Sequence, residues 1–330
     1  MDQHLAVTFC FNGDYAKYAA VSLFSLLLHT ERPARIYCLV TNADDSQLEP
    51  IVRIAARFSA KLDVIRIAEE TFGDWKDIHH FSRAAYLRIL IPDVVPEQRV
   101  LYLDSDLIVT CDVLPLFLSG MDGCCIAGVA EPDFGASSKV PRAIGDPYIN
   151  SGVMLMDLET LRSRNFVSAC KDIYREYEAI LTWPDQCIIN KFAEGDKKLI
   201  DKVWNVLTNT RPVGLAYWER EIAVHDGSGI IHFNGPVKPW LGWCNPWPSR
   251  FWWSYAKLAR IPGLRPIEPS TIDHALYMAA VLDEEGNFQQ ASQIKSEVLR
   301  LLASTRSEPS GGTSAAGELI TTIGAQPIGK

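Results

Sequence analysis

Apolar runs of strand length alternate with segments of helical spacing over the first third of the chain. Leu5 to Phe11 is a continuous apolar run that predicts a buried strand, broken at the turn signal Asn12-Gly13-Asp14. From Tyr15 to His29 the apolar residues Ala16, Ala19, Ala20, Leu23 and Leu27 recur as on one helix face. Arg35 to Val40 predicts a second strand, Asp45 caps a helix running to about Ser59, and Lys61 to Ile67 predicts a third strand. This alternation predicts an α/β fold with a mostly parallel nucleotide-binding sheet flanked by helices. Ligands should then sit at the strand ends Phe11–Asp14 and Asp104–Asp106. No GxGxxG follows the first strand, so a dinucleotide-binding fold is not supported.

The most informative stretch is Val100 to Val109. Val100 to Leu103 predicts another buried strand, which ends at Asp104-Ser105-Asp106 before apolar residues resume. Two carboxylates flanked by core-forming residues are costly unless neutralised. A surface turn would carry the same residues. A divalent cation is the other solution, since carboxylate oxygens suit Mg²⁺ and Mn²⁺. Upstream, a polar and aromatic loop from Trp75 to Phe81 carries His79 and His80. A helix begins at Ser82 or Arg83, passes through Tyr86 and Arg88, and ends near Pro92. Arg88 reads as a solvated helix residue or as a guanidinium for a phosphate.

Downstream, Cys124 to Ala130 predicts a strand ending at Glu131-Pro132-Asp133, and Phe134 to Pro147 a mobile loop, either a lid or an ordinary surface excursion. Tyr148 to Gly152 reads as a polar turn feeding a strand from Val153, and Glu159 to Ala179 as a helix. Pro184 is placed to start a further helix, with Asp185 and Gln186 near its positive end; on spacing alone Asp185 reads as a plain cap. Ile230 to Phe233 predicts a strand whose end carries His232, Gly235 and Lys238. Imidazole can ligate a metal, glycine permits close backbone approach to a phosphate, and lysine supplies a compact cation.

The C-terminal third changes character. Trp240, Trp243, Trp247, Phe251, Trp252, Trp253 and Tyr255 are interleaved with Arg250, Lys257 and Arg260. Packing accounts for such a segment, and so does peripheral membrane contact, with Trp252, Trp253 and Tyr255 at headgroup depth. Pro262 to Pro269 reads as a linker, Thr271 to Glu284 and Phe288 to Ala303 as two helices, and the Ser-, Gly- and Thr-rich remainder as disorder. The expected organisation is a domain over residues 1–262, a helical hairpin appendage over 263–303 and a disordered tail over 304–330.

Composition narrows the function classes. The 330-residue chain is 48% hydrophobic, and its net charge of −8 argues against a general nucleic-acid binder. Eight cysteines form no CxxC pair and mostly sit in apolar runs, which predicts small buried hydrophobes in a reducing compartment. The start Met1-Asp2-Gln3-His4 lacks the basic region of a signal peptide, and no stretch reaches the ~18 apolar residues of a membrane helix. A cytoplasmic location is expected, with membrane contact at most peripheral.

Taken in order, these pieces resemble the family 8 retaining glycosyltransferases, GT-A-fold enzymes that include lipopolysaccharide galactosyl- and glucosyltransferases and glycogenin. The matching pieces are Asn12-Gly13-Asp14-Tyr15, Arg88 after Tyr86-Leu87, Asp104-Ser105-Asp106, Asn150-Ser151-Gly152, Asp185-Gln186, and His232-x-x-Gly235-x-x-Lys238-Pro239-Trp240. The resemblance spans roughly Leu5 to Tyr255. It implies a UDP-glucose or UDP-galactose donor bound with Mn²⁺ or Mg²⁺, and a glycan or glycolipid acceptor. Asp104, Asp106 and His232 would hold the metal, with Ser105 beside the nucleotide. Gly235 and Lys238 would contact the diphosphate, and Phe11, Asn12, Asp14 and Tyr15 would lie near uridine. Arg88 and Asn150 would lie near the donor sugar, and Asp185 and Gln186, with Lys238, would serve the reacting centre. Asn12 stands where many members carry Asp, keeping one acceptor and adding donors.

Two other classes predict different features. A metal-dependent sugar nucleotidyltransferase would need a Gly-rich, basic loop after the first strand, which Asn12-Gly13-Asp14 is not. An inactive nucleotide-sugar binder or scaffold would not need the combined Asp104, Asp106, His232 and Lys238 set.

Overall fold

Strand β1 (Leu5–Asn12) forms where the apolar run is unbroken, and only its last residue escapes burial, as a strand covered on both faces requires. The computed structural model describes residues 4–73, 75–76, 83–208, 229–235, 237–244, 246–284 and 286–305. His79, His80 and nearly all of the 304–330 tail lie outside them. The described chain divides into two compact units, one of residues 4–207, 229–232 and 257–262, the other of 208, 233–256 and 263–305.

The first unit is built on a seven-stranded sheet. With β2 (Ala34–Thr41), β3 (Lys61–Arg66), β4 (Arg99–Leu103), β6 (Ile126–Ala130), β7 (Ile149–Asp157) and β8 (Lys197–Leu199), its order is β3-β2-β1-β4-β7-β6-β8. All neighbours are parallel except β7, which runs antiparallel to both β4 and β6. A second sheet of β5 (Leu107–Val109), β10 (Ile230–His232) and β9 (Val206–Leu207) continues the chain just past β4. The expected mostly parallel sheet with flanking helices is therefore present.

Helix α1 (Ala16–Leu28) does more than cover the sheet. Its buried Ser22 Oγ donates to the carbonyls of Ser105 and Leu107, and Ser25 Oγ accepts from the Val109 amide at 2.9 Å. These bonds hold the turn between β4 and β5 in one conformation. On the other side of β4, Arg162 donates to the carbonyls of Pro92, Val95 and Glu97, fixing the approach to the strand.

Several elements differ from the sequence reading. The cap of α2 (Asp45–Arg57) is Asp44, in a reciprocal box with Gln47, because Asp45 already lies in the first turn. Arg83–Leu90 is 3₁₀, and Pro92 falls inside a short helix, Ile91–Val94, where a first-turn proline is tolerated. The expected helix over 159–179 is two helices, Leu158–Ser163 and Phe166–Tyr177, separated by Asn165 in the left-handed region at φ 53°. The predicted loop after β6 begins as a helix, Pro132–Ser137, and Arg142 ties it down by donating to the carbonyls of Gly135 and Asp146. Asn150-Ser151-Gly152 is not a turn but the buried start of β7.

In the second unit Trp252 is 0% exposed, with Trp240 and Trp253 at ring distances of 5.4 and 5.0 Å. Of the two readings of this segment, packing therefore holds for Trp252, which is not at headgroup depth. The predicted linker is also tied down: Ile267 pairs with Leu241, and backbone bonds run from Gly242 to Ile267 and from Ile267 to Trp240. Helices Ile272–Glu284 and Phe288–Thr305 pack through Ala275, Ala279, Leu282, Ala291, Ile294 and Val298, where alanines allow close approach. No described helix is long and apolar enough to cross a membrane.

Candidate active site

The site is assembled where β4 ends, because the parallel β1–β4 pair and the antiparallel β7 deliver their chemistry to the same edge. Asp104 follows the last residue of β4, and its amide donates to the Gly152 carbonyl on β7 at 2.8 Å. His232 reaches the same place by strand pairing, since β10 runs antiparallel to β5 with His232 opposite Leu107. Its Nε2 lies 3.2 Å from Asp106 Oδ1 and 3.6 Å from Asp104 Oδ2. One ligand atom from each of Asp104, Asp106 and His232 lies within 4.8 Å of the others.

The donor set fits a divalent cation. Two carboxylates and an imidazole are ligands that Mn²⁺ and Mg²⁺ enzymes and other metal sites use. Tyr102 Oη and Arg88 Nη2 both reach Asp104 Oδ1, at 2.5 and 2.9 Å, so Oδ2 is the oxygen that faces the cluster. Space is kept by Gly152: a Cβ there would lie 2.2 Å from His232 Cε1 and 2.8 Å from Asp104 Oδ2. We expect Gly152→Ala to push the carboxylate and imidazole out of register while leaving the strand intact. Measured by Mn²⁺ titration, affinity should fall about 10- to 100-fold, the usual effect of disturbing ligand orientation. A variant that binds Mn²⁺ as tightly as the wild type would contradict this.

Arg88 joins two halves of the site. It is 7% exposed, which settles the choice left open by sequence against a solvated residue. Nη2 meets Asp104, and Nη1 meets Asp185 Oδ2 at 3.2 Å and the Ser151 carbonyl at 3.0 Å. The guanidinium also lies over the Tyr102 ring at 4.7 Å. Burial alone would weaken its charge, but the Asp104 and Asp185 carboxylates overcome that and hold it protonated. Asp185 is not a plain cap. It is buried, accepts from Ser151 Oγ at 2.9 Å, and its carboxyl is pushed up by burial against the opposing pull of Arg88.

Around this pair runs a chain of buried amides. Gln186 Oε1 accepts the Ser151 amide, and its Nε2 donates to Glu131 Oε2 at 2.9 Å. Asn150 Nδ2 donates to the same Glu131 oxygen, and Asn150 Oδ1 accepts from the Gly152 amide and from Asn205 Nδ2. Asn205 Oδ1 in turn faces His232 Nδ1 at 2.9 Å. Glu131 and Asn205 were not singled out from sequence. Glu131 looks like a strand-end residue, and no spacing marks Asn205. Glu131 is 4% exposed and its Oε1 has no hydrogen-bond partner among the described residues. Burial raises its carboxyl pKa, against the lowering effect of the Asn150 and Gln186 bonds.

Phe11 is buried in β1, and Ser105 is buried with its hydroxyl toward the Cys10 carbonyl. Asn12 Oδ1 accepts the Tyr15 amide, while Asp14 is exposed. Burial raises the Tyr15 phenol pKa, and the charges of Asp106 and Asp104 add to it, which places Tyr15 within their field. Asn12 also lines an open pocket with Thr41, Asn42, Glu69, Phe72 and Arg83. Gly235, at φ 88°, and Lys238 belong to the second unit, where Lys238 Nζ donates to the Phe233 carbonyl at 2.9 Å. Pro236 between them lies outside the described residues.

A mixed sheet of this order, with an Asp-x-Asp pair at the central strand end and an imidazole closing on it, has the architecture of a GT-A-type fold. The chain belongs to glycosyl transferase family 8, whose model matches residues 6–244. Among curated relatives, glycosyltransferase GlyF of Streptococcus pneumoniae is 26% identical over 70% of this chain, but that alignment spans only 56% of GlyF. The lipopolysaccharide 1,2-glucosyltransferase of Escherichia coli is 22% identical over 72% of this chain and 73% of its own length. Among solved structures, the galactosyltransferase LgtC in complex with donor and acceptor sugar analogs superposes with a TM-score of 0.67. It is 21% identical, with coverage of 78% of this chain and 98% of LgtC, a likeness of fold.

Proposed function

We propose that this chain is a metal-dependent retaining hexosyltransferase that moves glucose or galactose from a UDP-sugar to a hydroxyl of a glycan, a lipid-linked glycan among the candidates. The observation that carries the reading is the convergence of Asp104, Asp106 and His232 on one point, with Arg88 linking Asp104 to Asp185. The likeness to a lipopolysaccharide glucosyltransferase and to a galactosyltransferase solved with donor and acceptor sugar analogs supports the donor and acceptor classes. Residues 1–262 are assigned to this activity and 263–303 to a helical appendage.

In this reading Asp104, Asp106 and His232 hold Mn²⁺ or Mg²⁺, which when bound supplies positive charge to the departing diphosphate. Lys238 contributes a second cation, with Gly235 letting the backbone approach. Phe11, Asn12, Asp14, Tyr15 and Ser105 serve the nucleoside, and Arg88 and Asn150 the donor sugar. Asp185 and Gln186 border the anomeric carbon, but both are occupied: Asp185 Oδ2 with Arg88 and Ser151, Gln186 with Ser151 and Glu131. Groups so engaged orient a sugar better than they attack it. We therefore favour substitution on one face through an oxocarbenium-like state, with the departing phosphate taking the acceptor proton. Positioning supplies much of the rate in such a step.

The direct test is a screen of UDP- and GDP-sugars for Mn²⁺-dependent hydrolysis and transfer. Release of UDP with a specific hexose supports the proposal, and nucleotidyl transfer or no turnover with any donor would reject it. A lysine that meets charge developing on the leaving group stabilises the transition state more than the ground state. Lys238→Ala is thus expected to lower kcat about 10²-fold or more with a smaller change in KM. A change in KM alone would make Lys238 a simple binding residue.

A further inference from the structure

We infer that Asn205 is a positioning residue that sets the tautomer of His232 and thereby turns its Nε2 lone pair toward Asp104 and Asp106. The inference rests on the metal reading above but is measurable without it.

The argument begins from a group with one polarity. The Gly152 backbone N–H can only donate, so the Asn150 side-chain atom that it meets at 2.8 Å is the oxygen. Asn150 Nδ2 is then directed to Glu131 Oε2, an acceptor, which agrees. The Asn205 atom facing Asn150 Oδ1 at 2.8 Å must donate, so it is Nδ2. That leaves Asn205 Oδ1 toward His232 Nδ1 at 2.9 Å, and an oxygen there requires the proton on Nδ1. A neutral His232 so fixed carries no proton on Nε2, the nitrogen that stands 3.2 Å from Asp106 Oδ1 and 3.6 Å from Asp104 Oδ2. A lone pair facing two carboxylates is unfavourable by itself and becomes favourable when a cation lies between them.

Local structure holds the relay in place. Asn205 ends the 3₁₀ turn Lys202–Asn205, which Asp201 caps through the Val203 amide. The next two residues form β9, which pairs in parallel with β10, so that Leu207 lies opposite His232. Asn205 is 2% exposed, and water is thereby kept from competing for Nδ1. Imidazole ligands commonly have their second nitrogen fixed in this way, and disturbing that partner typically weakens metal binding 10- to 100-fold. Here the partner is an amide whose orientation is read, through Asn150, from a backbone N–H on β7.

The test uses the full chain in metal-free form with ¹⁵N-labelled histidine, at about pH 8, where an ordinary imidazole is neutral. The expected spectrum shows His232 with a proton on Nδ1; a wild-type His232 with Nδ1 bare and its proton on Nε2 overturns the inference without any variant. Asn205→Leu removes the acceptor at similar volume and should give mixed tautomers and a Mn²⁺ Kd about 10- to 100-fold higher by titration calorimetry. Asn205→Asp keeps an oxygen at Nδ1 and should preserve the tautomer and most of the affinity, even with a lower melting temperature from the lost bond to Asn150. Equal weakening by Leu and Asp would reduce Asn205 to a packing role and overturn the inference. Wild-type protein with the proton on Nδ1 that binds no Mn²⁺ would overturn the metal function proposed above while supporting the relay.

Discussion

Chelation by EDTA is expected to abolish sugar transfer, and Asp106→Asn to lower kcat by about three orders of magnitude with the fold preserved. Several kcal/mol of leaving-group charge stabilisation disappear with the metal, and each ~1.4 kcal/mol is tenfold in rate. Asp106 is well suited to this test because it is buried beside His232, and Asn is its near isostere. Circular dichroism and the melting curve should match the wild type without metal, and added Mn²⁺ should restore activity to chelated wild type but not to the variant. Full turnover in EDTA would sink the metal requirement.

The largest loss of stability is expected from Arg88→Met. The substitution keeps much of the side-chain volume but leaves the Asp104 and Asp185 carboxylates without their shared cation. Removing one partner of a buried ionic network typically costs about 3–5 kcal/mol. At about 2–4 °C per kcal/mol for a unit of this size, the melting temperature should drop about 10 °C. The pH dependence has a definite sign. Without Arg88 to oppose burial, the folded Asp185 carboxyl rises further above its unfolded value. The penalty is then fully present at pH above the raised value. It shrinks as pH falls through that value toward the ordinary range, because protonation removes the uncompensated charge. A deficit that stays constant down to about pH 4 would point to packing alone.

The parts legible in sequence were those whose cause is local. The apolar runs of β1, β2 and β4 declare themselves because a strand covered on both faces needs no polar residue. Asp104 and Asp106 stand out because they interrupt such a run. Asn150-Ser151-Gly152 misleads for the converse reason. Polar residues at the start of a buried strand look like a turn until their partners are known, and those partners, Glu131, Gln186 and Asn205, come from other segments of the chain. Arg88 was ambiguous for the same reason, as the carboxylates that make its burial tolerable lie on β4's end and on the helix Pro184–Phe192. The break at Asn165 carried a signal, an asparagine able to adopt φ 53°, but helical spacing on either side concealed it.

The pairing of β10 with β5 also governs when the cluster can exist. Strands β1, β2 and β3 are joined by single helices and can pair soon after they are made. Asp104 and Asp106 emerge from the ribosome long before the strand that carries His232, and loop closure over so long a separation is slow. A nascent chain therefore holds two adjacent carboxylates without their imidazole for much of its synthesis, and Arg88 and Tyr102, made earlier, are there to engage Asp104 in the interval. Capture of a cation should then be among the last events of folding, gated by the arrival of β10 rather than by formation of the main sheet.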